Sequence, residues 1–131
     1  MDRSEQQNLH FYEVAYTDKS QTQSAYFIPN LKCEIAKIEL EFLESLPVIN
    51  TSLLDVCAGA GIFAEMSDEK GWDVIAVDPA INIDRLKGNR KIKTYKGTTK
   101  QIPTGELFDV ITMWDVIEHS LKPVELINSL K

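Results

Sequence analysis

The chain has 131 residues, of which 44% are hydrophobic and 26% charged, the composition of one ordinary folded domain. A net charge of −6 argues against a nucleic-acid backbone as the main partner, because phosphate binding needs clustered Lys and Arg. No stretch has the length of a membrane span, the N-terminus has no apolar signal core, and two cysteines, Cys33 and Cys57, are too few for a zinc site or a disulfide framework, so a reducing, cytoplasmic setting with no metal and no membrane contact is expected.

Residues 1–29 read as an N-terminal arm, polar apart from Phe11, Tyr12, Tyr16, Tyr26 and Phe27. The run 17–24 is almost wholly polar and predicts a loop. The aromatics either pin this arm to the domain or, at Tyr12, Tyr16 or Tyr26, line a ligand pocket. Residues 30–131 read as the domain proper. Asn30 can cap a helix that Pro47 stops, giving a helix over 30–46. Leu31, Ile35, Ile38, Phe42 and Leu46 fall at a helical period and predict its buried face, with Glu34, Lys37, Glu41 and Glu44 on the others. Cys33 reads as a small packing residue.

Residues 52–56 predict the first strand. A helix over 61–70 follows, with Ile62, Phe63 and Met66 inward and Gly71 as its left-handed cap. Residues 72–77 predict a second strand, whose continuous apolar run suits a sheet buried on both faces. Asp78-Pro79 ends it. A weak helix or loop over 80–90 leads to a short third strand at 92–95 and a loop at 97–107. The fourth strand is expected at 108–114, and a loop or short turn at 115–122. Pro123 suits the first position of a last helix carried by Val124, Ile127 and Leu130. The basic residues Arg85, Lys87, Arg90, Lys91, Lys93, Lys96 and Lys100 alternate with polar ones and read as a solvated face, as does His10.

Strands alternating with helices imply a parallel α/β sheet with right-handed crossovers. Ligands of such sheets sit at the carboxyl ends of the strands, near the topological switch point. Residues 55–61, Asp78, 97–99 and 114–119 should therefore converge. The stretch 53–64, Leu-Leu-Asp-Val-Cys-Ala-Gly-Ala-Gly-Ile-Phe-Ala, is a strand, a glycine turn and a helix start. Such a turn presents backbone N–H groups and the positive end of a helix dipole to a nucleotide-like ligand. Gly59-Ala60-Gly61-Ile62-Phe63-Ala64 fits the dinucleotide fingerprint G-x-G-x-x-A, with Asp78 near the spacing of a ribose-binding acid. Three features point elsewhere. Asp55 sits inside the end of the first strand, a full helix precedes that strand, and the fourth strand carries Asp115, Glu118 and His119.

These residues resemble the class I S-adenosylmethionine-dependent methyltransferases, and among them the small-molecule branch that includes the ubiquinone-biosynthesis type. Residues 53–61 are similar to the first motif of that family, an acid followed by glycines at alternate positions. Val74-Ile75-Ala76-Val77-Asp78 is similar to its second strand, and Phe108-Asp109-Val110-Ile111 with Asp115-Val116-Ile117-Glu118-His119 to its fourth-strand motif. The resemblance spans roughly residues 30–131 and implies a Rossmann-like parallel sheet with flanking helices, incomplete because about four strands stand where the family has about seven. It also implies that the backbone from Cys57 and Ala58 through Gly59 to Gly61 approaches the methionine part of the cofactor. Asp55 lies near the ammonium, and Asp78, followed by Pro79, accepts from the ribose hydroxyls. Adenine recognition falls to the loop of Thr98 and Thr99, where Thr98 stands in place of the family's aspartate, with Ile81 and Ile102 as candidates to sandwich the ring. Cys57 stands where the family's first glycine sits, and it fits without strain if its φ is negative.

The transferred methyl sits on a sulfonium, already a good leaving group, so holding an acceptor in line and excluding water is the main task. His119 is the candidate base if the acceptor must lose a proton, and otherwise shapes its loop. Asp115 and Glu118 orient the cofactor or this loop, and Trp114 either floors the site or joins the core. The expected function is methyl transfer to a small-molecule acceptor. The other readings are a cofactor-binding fragment without activity of its own and an NAD-dependent oxidoreductase. An open edge on the fourth strand is an aggregation hazard, so self-association or a further C-terminal half is expected to cover it.

Overall fold

The computed structural model describes residues 29–80, 86 and 91–131. The readings made for the arm (Tyr12, Tyr16, Tyr26 and His10 among them), for Ile81, and for most of 80–90 lie outside the described residues. The elements are helix α1 (Pro29–Glu44), strand β1 (Ser52–Val56), helix α2 (Ile62–Glu69), strands β2 (Asp73–Asp78), β3 (Lys93–Lys96) and β4 (Val110–Thr112), and helix α3 (Pro123–Asn128). Single 3-10 turns stand at Thr99–Gln101 and Ile117–His119. The strands form one parallel sheet in the order β3-β2-β1-β4.

Period-2 alternation divides the sheet residues between two cores. Leu53, Val74 and Ala76 face α1 and α2, packing with Ala36, Leu40, Leu43, Phe63, Ala64 and Leu86. Leu54, Val56, Ile75 and Val77 face the other way, under Tyr95, Ile102, Phe108, Ile111, Met113 and Leu130. Burial on both faces explains why β1 and β2 are nearly unbroken apolar runs.

The buried face of α1 is not the expected one. Ala36, Leu40 and Leu43 are buried, whereas Leu31, Ile35, Ile38 and Phe42 are exposed, Ile38 by 69%. The helix carries apolar residues on two stripes. The stripe that packs begins with small Ala36, which permits close approach to the layer beneath. The helix already includes Asn30, so that residue does not stand before it as a cap.

In α2, Phe63, Ala64 and Ser67 are buried, while Ile62 and Met66 pack at the margin. Gly71, with φ 95°, ends it. The Trp72 N–H donates to the Ser67 carbonyl and the Gly71 N–H to the Asp68 carbonyl, the Schellman arrangement that a left-handed glycine permits.

β4 is shorter than the expected 108–114. Its start is clamped to the start of β1, because Asp109 Oδ2 accepts from the Ser52 N–H at 3.0 Å and from the Ser52 hydroxyl at 2.6 Å. Those bonds, the hydroxyl's first, hold the Asp109 carboxyl below its ordinary range. At the other end Asp115, with φ 52°, turns the chain out of the strand direction. The last helix also differs: Val124 and Ile127 are exposed, and the packing residue is Leu130, beyond the helix end. Among the described residues no helix is long and apolar enough to cross a membrane.

Candidate functional site

From β1 the chain runs outward through β2 to β3 and then returns to the other side of β1 as β4, so the switch point lies between β1 and β4. Asp55 pairs in register with Thr112 across that point. The Thr112 hydroxyl donates to Asp55 Oδ1 at 2.9 Å. Asp55 is only 2% exposed. Desolvation pushes its carboxyl up to about 7, the Thr112 bond opposes this, and Glu39 and Asp78 add repulsion.

Asp78 points to the same face, since it stands two residues after Ala76 at the end of β2. Its Oδ2 accepts from the Gly59 N–H at 2.8 Å and its Oδ1 from the Ala80 N–H at 2.7 Å. Burial raises its pKa and those two backbone bonds lower it. Gly97 N–H donates to the Asp78 carbonyl, which brings the loop after β3 to the same place. Three strand ends thus meet, with the half-buried Pro79 beside them.

The turn itself is glycine-dependent at two positions. Gly59 has φ 60° and nothing within 4 Å of where a Cβ would stand, so its outer side is open to a ligand. Gly61 has φ 81°, and a Cβ there would overlap the buried Leu86 side chain. The Gly61 N–H closes the turn on the Ala58 carbonyl at 2.9 Å, and the Ala58 N–H bonds the Val77 carbonyl. Cys57 departs from expectation: its φ is 58°, not negative. A cysteine in this left-handed region carries strain that glycine would not. The residue is exposed, yet desolvation by the protein around it and the charges of Asp78 and Asp55 push its thiol up to about 12, which disfavours a thiolate nucleophile.

The expected adenine loop is internally bonded. Thr98 caps the 3-10 turn, accepting from the Lys100 N–H, and its hydroxyl and N–H donate to Gln101 Oε1 at 3.1 and 2.6 Å. The hydroxyl proton is therefore engaged, and Gln101 is a loop-shaping residue that the sequence reading missed. Thr99 shares a hydrogen bond with Ser129 at 3.3 Å. Ile102 packs on the sheet core opposite the α1 side.

Trp114 lies between Phe63 and Phe42, edge-on at 5.4 and 6.2 Å, with its Nε1 buried and without a hydrogen-bond partner. Its ring is part of the packing between α1 and α2. Asp115 is exposed, and His119 lies exposed on the 3-10 turn with Nε2 3.9 Å from Glu118 Oε1. Among the described residues no group of three or more His, Cys, Asp or Glu could hold a metal.

A second residue, a half-buried acid, also has no counterpart in the sequence reading. Glu39, from α1, is half-buried, and desolvation followed by the charge of Asp115 pushes it up to about 7, with Lys32 opposing. A glutamate on a helix ordinarily reads as solvated face, and its half-burial shows otherwise.

Comparison with known proteins accounts for this arrangement. A family model described as a methyltransferase domain matches residues 18–131. A ubiquinone biosynthesis O-methyltransferase of Cereibacter sphaeroides is 29% identical over 103 residues, covering 73% of this chain and 42% of that protein. The enzyme of the same name from Bartonella tribocorum is 35% identical over 94 residues, covering 63% and 38%. The chain thus spans less than half the length of these curated relatives. The plantazolicin methyltransferase BpumL, solved in complex with SAH, superposes with a TM-score of 0.68 at 15% identity, over 98% of this chain and 54% of that one. At that identity the likeness shows the fold. The glycine turn is therefore not that of a nicotinamide-dependent oxidoreductase, and the chain belongs to the methyltransferase domain family.

Proposed function

We propose that this chain binds S-adenosylmethionine and takes part in methyl transfer from it to a small-molecule acceptor, in a cytoplasmic setting, with neither nucleic acid nor membrane as partner. The observation that carries the reading is the bond from the Gly59 N–H to Asp78. It makes the acid ending β2 and the turn ending β1 one unit, open on the outer side of Gly59 and backed by the buried carboxylate of Asp55. That donor set fits the ligand: carboxylates for an ammonium and a ribose diol, and a glycine cradle for close approach. The names of the curated relatives and the bound SAH of the structural neighbour support it.

Residues 30–131 serve as the cofactor-binding portion and residues 1–29 as an arm. Asp78 accepts from the ribose hydroxyls through lone pairs its backbone bonds leave over. Asp55, held by Thr112, faces the ammonium. Cys57, Ala58, Gly59 and Gly61 line the methionine part with backbone. Pro79, Thr98 and Thr99 border the adenine, Thr98 by holding its loop in shape with Gln101. Trp114 and Asp115 border the site from the β4 side.

When bound, the cofactor supplies a methyl on a sulfonium. Transfer of that methyl to an acidic acceptor would require the acceptor to lose its proton. His119 is the chain's candidate for that proton, because it follows the carboxyl end of β4 and an imidazole nitrogen can act as a general base. Calorimetry tests the reading. S-adenosylhomocysteine should bind and NAD should not. Binding of NAD alone, or of neither, overturns it.

A further inference from the structure

We propose that Gln101 is a positioning residue of the loop that borders the adenine: by taking the Thr98 hydroxyl proton it leaves that oxygen as an acceptor only, so that the loop favours a 6-amino purine over a 6-oxo one. The inference rests on the adenosyl reading above and adds to it the polarity of one side chain and the residue that sets it.

Backbone bonds tie the loop to the site. The Gly97 N–H donates to the Asp78 carbonyl at 2.9 Å, and the Asp78 carboxyl accepts from the Gly59 N–H, so the residues after β3 are carried to the glycine turn. Thr98 and Gln101 then close the 3-10 turn at Thr99–Gln101 on itself. The Gln101 side chain folds back over Gly97, where φ is 137° and a Cβ would overlap the amide. Glycine leaves room for that fold-back and tolerates the backbone it needs.

The hydrogen bonds fix the direction of both polar groups. The Thr98 N–H can only donate, so the atom 2.6 Å from it is the carbonyl oxygen of the Gln101 amide and not its NH2. That oxygen can only accept, so the Thr98 hydroxyl, 3.1 Å away, is the donor. The hydroxyl oxygen also accepts from the Lys100 N–H at 3.3 Å. A threonine hydroxyl ordinarily rotates to donate or accept as its surroundings ask. Here its proton is spent inside the loop, and what it can offer a ligand is lone pair. A 6-amino group brings N–H to that lone pair. A 6-oxo group sets lone pair against lone pair, and a site built for one polarity rejects the other because its polar groups are left unpaired. To shape the turn, Gln101 needs the Thr98 N–H alone; the second bond, from the hydroxyl, is the one that sets polarity.

The experiment compares S-adenosylhomocysteine with S-inosylhomocysteine, in which an oxo group replaces the 6-amino group, by calorimetry on the full chain. The unmutated chain should bind the adenosyl ligand tighter by about tenfold or more, the worth of a made hydrogen bond against an unpaired one. Gln101→Met keeps the length, loses the acceptor and frees the hydroxyl to donate, so it should bring that ratio to about threefold or less. Gln101→Glu keeps the acceptor and should keep the ratio. Thr98→Val should lower the ratio as Gln101→Met does, and the double variant should lower it no further, since both changes act on one hydroxyl. Equal weakening of both ligands by Gln101→Met, loss of the ratio in Gln101→Glu, or effects that add in the double variant would reduce Gln101 to loop shape and overturn the polarity assignment. An unmutated chain that binds both ligands alike overturns it too, and in each of these cases the adenosyl reading stands. An unmutated chain that binds neither ligand overturns that reading and the assignment with it.

Discussion

At the scale of single residues, the site is held in conformations and charge states that the fold alone disfavours. Cys57 sits at φ 58°, where a side chain costs about 1–2 kcal/mol, while glycine at the same place loses about 0.5–1 kcal/mol through its freer unfolded chain. Cys57→Gly should therefore raise stability by about 0.5–1 kcal/mol, read from the urea midpoint; a loss would mean that the thiol packs better than its exposure implies. The acids make a pH prediction. In the unfolded chain Asp and Glu titrate near 4, whereas Asp55 and Glu39 stand near 7 in the fold. A raised carboxyl pKa means that the folded state binds the proton more tightly. Its stability is complete below about pH 4, declines between about 4 and 7, and is level above. Each pH unit between folded and unfolded pKa is worth about 1.4 kcal/mol for a buried group such as Asp55 and less for half-buried Glu39. Asp78 acts in the same sense, and Asp109, whose pKa is lowered, acts oppositely and only below about 4. Urea midpoints of the ligand-free chain should thus fall from pH 4.5 to 7.5, a window set by those values. S-adenosylhomocysteine should offset the fall. A midpoint that rises across this window would remove Asp55 and Glu39 as the governing groups.

At the scale of elements, two substitutions on one helix separate its two apolar stripes. Leu40→Ala should cost about 2–4 kcal/mol, since it empties a buried position, and Ile38→Ala less than about 0.5 kcal/mol, since Ile38 is 69% exposed. The reverse order would restore the face that spacing alone had selected. In α2, Gly61→Ala forces a Cβ against Leu86 from a left-handed backbone, a loss of about 2–4 kcal/mol when overpacking and strain are combined. Circular dichroism melts of the three variants check all of this. The same elements show what a sequence can carry. β1 is legible to the residue because a short apolar run is bounded by Ser52 and a glycine turn, and Gly71 because a left-handed helix end admits little else. The buried face of α1 is not legible: period selects any apolar stripe, and only the layer beneath decides which one packs. Glu39 is invisible for a related reason, because a glutamate on a helix reads as solvated until the layer beneath it is known. Gln101 did have a local signal that the sequence reading missed, since Thr98 and Gln101 stand at the three-residue spacing of a capping box. The left-handed backbone of Cys57 escaped because residue type, the usual signal of positive φ, points away from it there.

At the scale of the whole molecule, the two edges of the sheet are built differently. β3 reads Lys-Thr-Tyr-Lys, with exposed Lys93 and Lys96, the charged edge that discourages pairing with another chain. β4 reads Val-Ile-Thr and carries no charge. Beside it lies an apolar pocket of about 210 Å³ lined by Phe42, Leu43, Leu46 and the 110–114 segment, and Phe42 continues it onto the exposed Leu31–Ile35–Ile38 stripe of α1. Edge, pocket and stripe make one continuous apolar surface on the side of the sheet opposite the lysines. Such a surface, next to unpaired backbone, is an association hazard in water. The 131-residue chain should therefore sediment with a weight that rises with concentration. Ile38→Lys and Phe42→Lys together should abolish that rise, since both positions are more than half exposed and neither change empties the core. Because Phe42 packs edge-on against Trp114, beside the strand ends, the double variant also asks whether surface and site are independent. Unchanged S-adenosylhomocysteine affinity in the monodisperse variant would separate them, and a fall would show that they are coupled through that packing. A weight constant with concentration in the unmutated chain would show that this surface does not drive association, whatever its composition.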